Sequence, residues 1–161
     1  MNCVKVFMTH ELTALLEREH IRQVLATYCL RLDEGDIAGV IACFTEDAVA
    51  DYGPGRGGVV VGAGAIGERI ARGQSIFRRT HHQLGQIHVE CTGPEARALS
   101  YLTAWHERYS GEREVVCLRY VDSLKRAGAR WAIATRRVET SFVDGFPGTD
   151  WNWVARGPTN V

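Results

Sequence analysis

Residues 21–36, with the sequence IRQVLATYCLRLDEGD, contain the pattern that decides the fold of this chain. An apolar stripe at helical spacing ends at Leu32, and Gly35 stands where a left-handed residue closes a helix. Asp33 lies in the last turn, roughly 100° from the centre of the stripe. A carboxylate there faces the negative end of the helix dipole, at a cost of ~0.3–1 kcal/mol unless a partner offsets it. We therefore expect Asp33 to have a partner; the alternative is a solvated residue like its acidic neighbours.

Further helices are predicted on both sides of this segment. Thr9 can cap a short helix that begins at His10, and Asp36 can cap another that follows Gly35. A third helical spacing runs through residues 62–73. Between them, apolar strands at 48–52 and 59–61 flank the segment GPGRGG, which lacks the Lys-Ser/Thr ending of a phosphate-binding loop.

The second half of the chain is rich in strands. Segments near 80–91, 96–109, 114–125 and 130–141 carry many Val, Ile, Thr, Tyr and Trp residues, and turn residues separate them. Helices first and long strands afterwards indicate an α+β fold. The last residues lack periodicity and predict an irregular arm. Its Phe146, Trp151 and Trp153 need cover from a neighbouring subunit or from the mouth of a pocket.

Composition limits the classes of protein and partner. With 161 residues, 45% hydrophobic and 24% charged, the chain predicts one domain over 1–161, with a core of about 11–141 and an arm at 142–161. Basic and acidic residues number 19 each without a basic block, which argues against nucleic acid as a partner. No apolar run approaches the ~20 residues of a membrane span, and no signal peptide is recognised. Five widely spaced cysteines indicate reduced cytoplasmic thiols rather than disulfides or a metal site.

Two adjacent histidines occupy a predicted strand. His81 and His82 point to opposite faces, so only one can face a pocket, and His82 shares its face with Thr80, Leu84 and Gln86. His88 would share that face near its rim. An aspartate can hold an imidazole in one tautomer and leave its other nitrogen free as a base. Asp33 and His82 therefore predict proton transfer; the alternative is an ordinary core histidine.

Other side chains can complete such a site. His106 belongs to a strand face of small residues, which is typical of a cavity wall. Tyr28 and Tyr52 can line the site or can be ordinary amphipathic core residues. The alternation of side chains along the predicted strand places Arg137 on the same inward face as Trp131. Either Arg136 or Arg137 can reach an anionic or carbonyl group of a substrate, or both can lie at a solvated strand end.

These segments together resemble the SnoaL-like group of the nuclear transport factor 2-like superfamily. The resemblance covers about residues 11–141 and is carried by 21–52, 62–70, 80–86 and 131–138. It implies a cone-shaped α+β barrel, in which a strongly curved mixed or antiparallel sheet and N-terminal helices enclose a deep pocket.

Within that superfamily, the sequence is similar to the branch of scytalone dehydratase, bile-acid 7α-dehydratase and hexachlorocyclohexane dehydrochlorinase. Asp33 and His82 match the catalytic dyad of that branch, and Tyr28, Tyr52 and His106 match further pocket positions. The resemblance implies a cofactor-independent lyase or isomerase. It would use the dyad for dehydration, elimination, isomerisation or cyclisation of a small hydrophobic cyclic substrate, without a metal. It also implies a cytoplasmic homo-oligomer, with a trimer favoured over a dimer.

Two other classes fit the same fold. A non-catalytic ligand-binding or assembly module would have a filled cone, or Asp33 and His82 out of hydrogen-bonding reach. An accessory small subunit of a ring-hydroxylating dioxygenase would be unstable without its large partner.

Overall fold

A computed structural model describes residues 2–148, 150–155 and 157, without the side chains of 2–10. The helices are α1 (Asn2–Glu34), α2 (Ile37–Ile41) and α3 (Ala63–Gln74), and a 3-10 helix spans Pro54–Arg56. The strands are β1 (Phe44–Asp51), β2 (Val59–Val61), β3 (Phe77–Thr92), β4 (Glu95–Arg108), β5 (Arg113–Ala127) and β6 (Arg130–Asp144).

The six strands form one mixed sheet in the order β2-β1-β6-β5-β4-β3. Strand β1 runs parallel to β6, and the other neighbours are antiparallel. The sheet stays open, since β2 and β3 are its edges within the described residues. Helix α1 packs on β3 and β6, and α3 packs on β1 and α2. This arrangement confirms the predicted α+β cone.

The core lies between α1 and the inner face of the sheet. The stripe of α1 that the sequence predicts is buried, from Ile21 through Leu25 to Leu32. On β4, every second residue from Ala96 to His106 is buried, so the small-residue face points inward. Since alanine and serine fill little volume, this face leaves space beside the long helix.

The N-terminal region differs from its prediction. Helix α1 is continuous from Asn2 to Glu34, where the sequence suggested a separate helix capped by Thr9. No glycine or proline interrupts residues 2–34, so nothing stops the helix in that range. Leu12, Leu15 and Leu16, the apolar side chains of that predicted helix, are exposed. No helix in the described part of the chain combines the length and apolarity of a membrane span.

Several register shifts interrupt the sheet, and two of them, one on β6 and one on β3, reverse the in-out alternation of predicted site residues. On β6, Leu124 pairs with Ile133 and Ser123 with Thr135, so Ala134 is an extra residue. On β3, one extra residue lies between Leu84 and Ile87. Because side chains alternate with a period of two, a single inserted residue moves all later side chains to the other face.

The C-terminal arm folds back over the inner side of the sheet. Strand β6 continues to Asp144, three residues beyond the predicted strand (144 − 141). Phe146 packs edge-on against Trp151, with ring centroids 5.6 Å apart, and Trp151 is buried. Trp153 forms a bridge to Thr140 and stays exposed. Phe146 and Trp151 are covered within this chain, by each other and by Arg56 and His106, which line the cavity.

Gly145 makes the turn that starts this arm. Its φ is +77°, and an added Cβ would collide with the backbone carbonyl oxygen of Arg113. We expect Gly145→Ala to lower the free energy of unfolding by about 1–3 kcal/mol, because the left-handed backbone and the collision both oppose it. Urea unfolding measures the effect. Gly148→Ala, where nothing lies within 4 Å, is the control. Equal stability of the two variants would contradict this account of the turn.

Candidate active site

The end of α1 and the strand β3 bring Asp33 and His82 into contact. His82 Nδ1 lies 2.6 Å from Asp33 Oδ1, and the His82 backbone N–H donates to Asp33 Oδ2 at 2.8 Å. The Thr80 hydroxyl donates to Asp33 Oδ1 at 2.9 Å. Three donors therefore converge on one carboxylate, which explains how its position in the last turn of a helix is tolerated.

These contacts determine the charge of the carboxylate. Burial raises the pKa of Asp33, but the hydrogen bonds from the His82 ring, the His82 backbone and Thr80 outweigh it and lower the pKa below its ordinary value of 3.8. An ionised carboxylate only accepts hydrogen bonds, so we infer that His82 Nδ1 carries the proton. The second ring nitrogen, Nε2, then has a free lone pair.

His82 lines a cavity between α1, α3 and the sheet. The side chain of His82 is only 6% exposed, whereas that of His81 is 69% exposed and approaches Asp33 from the solvent side, with Nδ1 4.0 Å from Asp33 Oδ2. The cavity has a volume of about 70 Å³, and about 630 Å³ when the open space at its mouth is included. Most of its wall is apolar, from Leu32, Ile70, Phe77, Leu102, Ala104, Val116, Leu118 and Val138.

His106 stands beside His82 on the same wall. Their ring centroids are 5.3 Å apart, and Phe77 stacks on His106 at 4.5 Å. Desolvation, with His82 and Arg56 nearby, lowers the pKa of His106 to about 3. Its Nδ1 is buried and has no hydrogen-bond partner among the described residues. A neutral imidazole with an unused nitrogen can hydrogen-bond a ligand in this cavity.

The lowered pKa of His106 predicts a pH-dependent stability. The unfolded chain protonates this histidine near its ordinary value of 6.5, whereas the folded protein does so only near 3. Folding therefore loses up to about 1.4 kcal/mol per pH unit as the pH falls between these values. We expect His106→Gln to flatten this part of the curve in urea unfolding at a series of pH values. The exposed His88→Gln is the control, and parallel curves for wild type and His106→Gln would refute the prediction.

Both predicted tyrosines line the cavity. Tyr52 is buried, and its hydroxyl has no hydrogen-bond partner among the described residues. Burial raises its pKa, so the phenol stays protonated and can donate. Tyr28 packs edge-on against Tyr120 and lies 4.1 Å below the guanidinium of Arg136.

The structure corrects the placement of Arg137. Its side chain is 54% exposed, pairs with Asp51 and Glu139, and does not line the cavity. Arg136 is the inward residue instead, and it donates two 2.8 Å hydrogen bonds to Asp122. The bulge at Ala134 is the cause, because it inverts the alternation on which the prediction rested. The bulge on β3 likewise turns His88 outward, where its side chain is 73% exposed.

Sequence reasoning missed Arg56 and Arg69, which also line the cavity. Arg56 comes from GPGRGG, a segment tested only for phosphate binding. Arg69 lies on α3, one residue before the buried Ile70. A guanidinium on the border of an apolar helix face was the signal that could have identified it.

In the described residues, no three or more His, Cys, Asp or Glu side chains cluster as metal ligands.

The comparison with protein families gives one match. The profile of the SnoaL-like domain matches residues 13–137. No match is found among proteins with curated functions.

Solved structures are similar over most of the chain. A candidate scytalone dehydratase from Novosphingobium aromaticivorans DSM 12444 is 23% identical, with a TM-score of 0.83, over 91% of this chain and 98% of the other. A type 2 hexachlorocyclohexane dehydrochlorinase is 11% identical, with a TM-score of 0.77, over 94% and 99%. A single-substitution variant of a Mycobacterium tuberculosis protein of unknown function is 25% identical, with a TM-score of 0.72, over 80% and 74%.

Proposed function

The chain belongs to the SnoaL-like domain family, and from that premise we propose that it is a cofactor-independent enzyme of the lyase or isomerase type. It abstracts a carbon-bound proton from a small hydrophobic cyclic substrate. The observation that carries the proposal is the 2.6 Å contact between Asp33 and His82, with His82 on the wall of an open, mostly apolar cavity.

The proposed step uses His82 Nε2 as the base. It takes a proton from a carbon next to an electron-withdrawing group, and the electrons of that C–H bond form a new double bond. The Asp33 carboxylate stabilises the imidazolium that results. When hydroxide leaves from the neighbouring carbon, the imidazolium returns the proton to it, so the products are an alkene and water. In an isomerisation, the proton returns to another carbon.

Two further groups are placed to assist. The Tyr52 hydroxyl and His106 are cavity polar groups with unused hydrogen-bonding capacity. A hydrogen bond from either to the developing oxyanion or to the leaving hydroxyl would stabilise the transition state. Tyr28, which also lines the cavity and lies against Arg136, is a third candidate.

The rival classes make different predictions about the same features. A binding or assembly module would have a filled cone or a separated Asp33 and His82, and the 2.6 Å contact of Asp33 with His82 argues against the second of these. The dehydratase and dehydrochlorinase among the similar structures are both named for eliminations. At 23% and 11% identity they support the fold, so the choice of reaction rests on the side chains of this chain.

A deuterium experiment tests the proposal without a known substrate. A panel of small cyclic β-hydroxy ketones and unsaturated ketones is incubated with the protein in D₂O and followed by mass spectrometry. We expect loss of water or uptake of deuterium with wild type, and neither with His82→Gln. Equal rates with both proteins, or no reaction with any member of the panel, would count against the proposal.

The proposal includes a cytoplasmic homo-oligomer, with a trimer favoured over a dimer. Size-exclusion chromatography with light scattering of the isolated chain gives the subunit number. A stable, monodisperse oligomer would also argue against the accessory-subunit class, which requires a large partner.

A further inference from the structure

We propose that the cavity recognises an anionic group on its ligand, a carboxylate in the simplest case, and that Arg56 and Arg69 bind this group. The inference rests on the proposed function only in treating the ligand as the substrate of the same site. The binding itself needs no turnover.

The two arginines are held together at one part of the cavity wall. Arg69, on α3, donates from Nε and Nη2 to the backbone carbonyl oxygen of Arg56, at 3.3 and 2.8 Å. The Arg69 guanidinium also lies 3.7 Å from the centre of the Tyr52 ring. These contacts fix the loop that carries Arg56 against the helix, so two guanidinium groups line one cavity.

Neither arginine forms an ion pair with a carboxylate in the described part of the chain. The contrast with other arginines of the interior is clear, because Arg136 is bound to Asp122 and Arg108 to Glu114. Desolvation and then the charge of Arg69 lower the pKa of Arg56 to about 10. Two neighbouring, partly desolvated cations raise the free energy of the empty site, and an anion between them would offset that cost.

Arg56 has a structural role that does not occupy its hydrogen-bonding edge. Its guanidinium stacks at 4.6 Å from the ring centre of Trp151 and at 5.5 Å from that of Phe146. Stacking uses the face of the guanidinium, whereas its five N–H bonds lie in the plane. No described residue accepts a hydrogen bond from the Arg56 side chain. The aromatic residues of the arm therefore orient the guanidinium of Arg56 so that its in-plane N–H bonds are free. Two of them can donate parallel hydrogen bonds to one carboxylate.

The rest of the cavity wall can contact the uncharged part of a ligand whose carboxylate lies at the arginines. Phe146, which Arg56 contacts, packs edge-on against His106, and His106 packs against His82. Arginines and the proposed base thus belong to one connected wall, with apolar side chains between them. A cyclic carboxylic acid would place its ring on this apolar surface and its charge at the arginines, and this orientation would present a ring carbon to His82.

The test compares a charged ligand with its neutral isostere. Cyclohex-1-enecarboxylate and cyclohex-1-enecarboxamide are titrated by calorimetry into wild type, Arg56→Gln, Arg69→Gln and Arg137→Gln. We expect wild type to bind the carboxylate about tenfold more tightly than the amide. Arg56→Gln and Arg69→Gln each lose most of this preference with little change in amide binding. Arg137→Gln removes an equal charge from an exposed arginine outside the cavity and keeps the preference.

Every outcome is decisive. Equal binding of both ligands to wild type, no binding of either up to about 10 mM, or an unchanged preference in both cavity variants would overturn the proposal. Circular dichroism checks folding. If Arg56→Gln does not fold, the carboxylate preference is measured in Arg69→Gln and Arg56→Lys instead. The lysine keeps the positive charge but lacks the planar guanidinium. Carboxylate preference in a wild-type protein that turns over no member of the deuterium panel would count against the proposed function and leave this inference intact, so the two failures are distinguishable.

Discussion

Asp33→Asn is expected to lower kcat/KM by about 10²–10⁴-fold while the protein stays folded. An asparagine carries no charge to stabilise the imidazolium, and its amide can donate to His82 Nδ1. The donation would place the ring proton on Nε2, the nitrogen that has to act as the base. The variant would thus hold the imidazole in nearly the same position but in the unreactive tautomer.

The measurement uses a substrate identified by the deuterium experiment. His82→Gln should be equally inactive, and the double variant should be no worse than either single one, because the two residues act as one unit. The matched control is His88→Gln, which alters an exposed histidine on the same strand, away from Asp33, and should keep full activity. Wild-type rates in Asp33→Asn would remove the dyad from the mechanism, provided that circular dichroism shows native folding in all variants.

The second large effect is expected in stability. Asp122→Ala should lower the free energy of unfolding by about 3–5 kcal/mol, because it leaves the Arg136 charge buried without its partner. The side chains of Arg136 and Asp122 are both 0% exposed. The guanidinium lies between Tyr28 and Tyr120, 4.1 and 3.9 Å from their ring centres. Cation–π contact with these rings offsets only part of the loss.

Urea unfolding with two comparison variants separates the causes. Asp122→Leu combined with Arg136→Met removes both charges and should cost much less than Asp122→Ala. Glu139→Ala breaks the partly exposed pair with Arg119 and should cost at most about 1 kcal/mol. A loss of less than 1 kcal/mol in Asp122→Ala would show that the buried pair contributes little to stability.

The sequence predicted the parts of the fold that depend on local periodicity. The stripe ending at Leu32 and the glycine after it locate the end of α1, because helix spacing and a left-handed cap are local properties. Long β-rich segments separated by turns likewise locate the strands. The alternation of small residues on β4 gave the cavity wall, since small inward side chains leave space.

What the sequence could not predict depends on pairing between strands. An extra residue in one strand of a ladder is visible only relative to its neighbour, so the bulges on β3 and β6 escaped periodicity arguments. The error at Arg137 followed directly from this. The contact of Asp33 with His82 was a hypothesis from residue types that the family resemblance supported, because no local rule links residues 49 positions apart in the chain (82 − 33).

The positions of Arg56 and Arg69 in the cavity could not be predicted for a different reason. Arg56 lies in a segment without periodicity, and its place in the cavity depends on Arg69 and on aromatic residues some ninety positions later (146 − 56). The sequence left open what covers the arm, and the contacts of Phe146 and Trp151 with Arg56, His106 and each other arise from tertiary packing. Such long-range contacts leave no local pattern to recognise.

The extra residue Ala134 in β6 has a consequence for which sequence changes this strand can accept. Arg136 and Arg137 have the same side chain. The extra residue Ala134 determines which guanidinium faces inward and pairs with Asp122, and which one is exposed to solvent. Deleting Ala134 would exchange their faces without altering either arginine. In this strand, insertions and deletions would therefore be more damaging than most substitutions, and relatives are best compared by their bulge positions before residue types are matched.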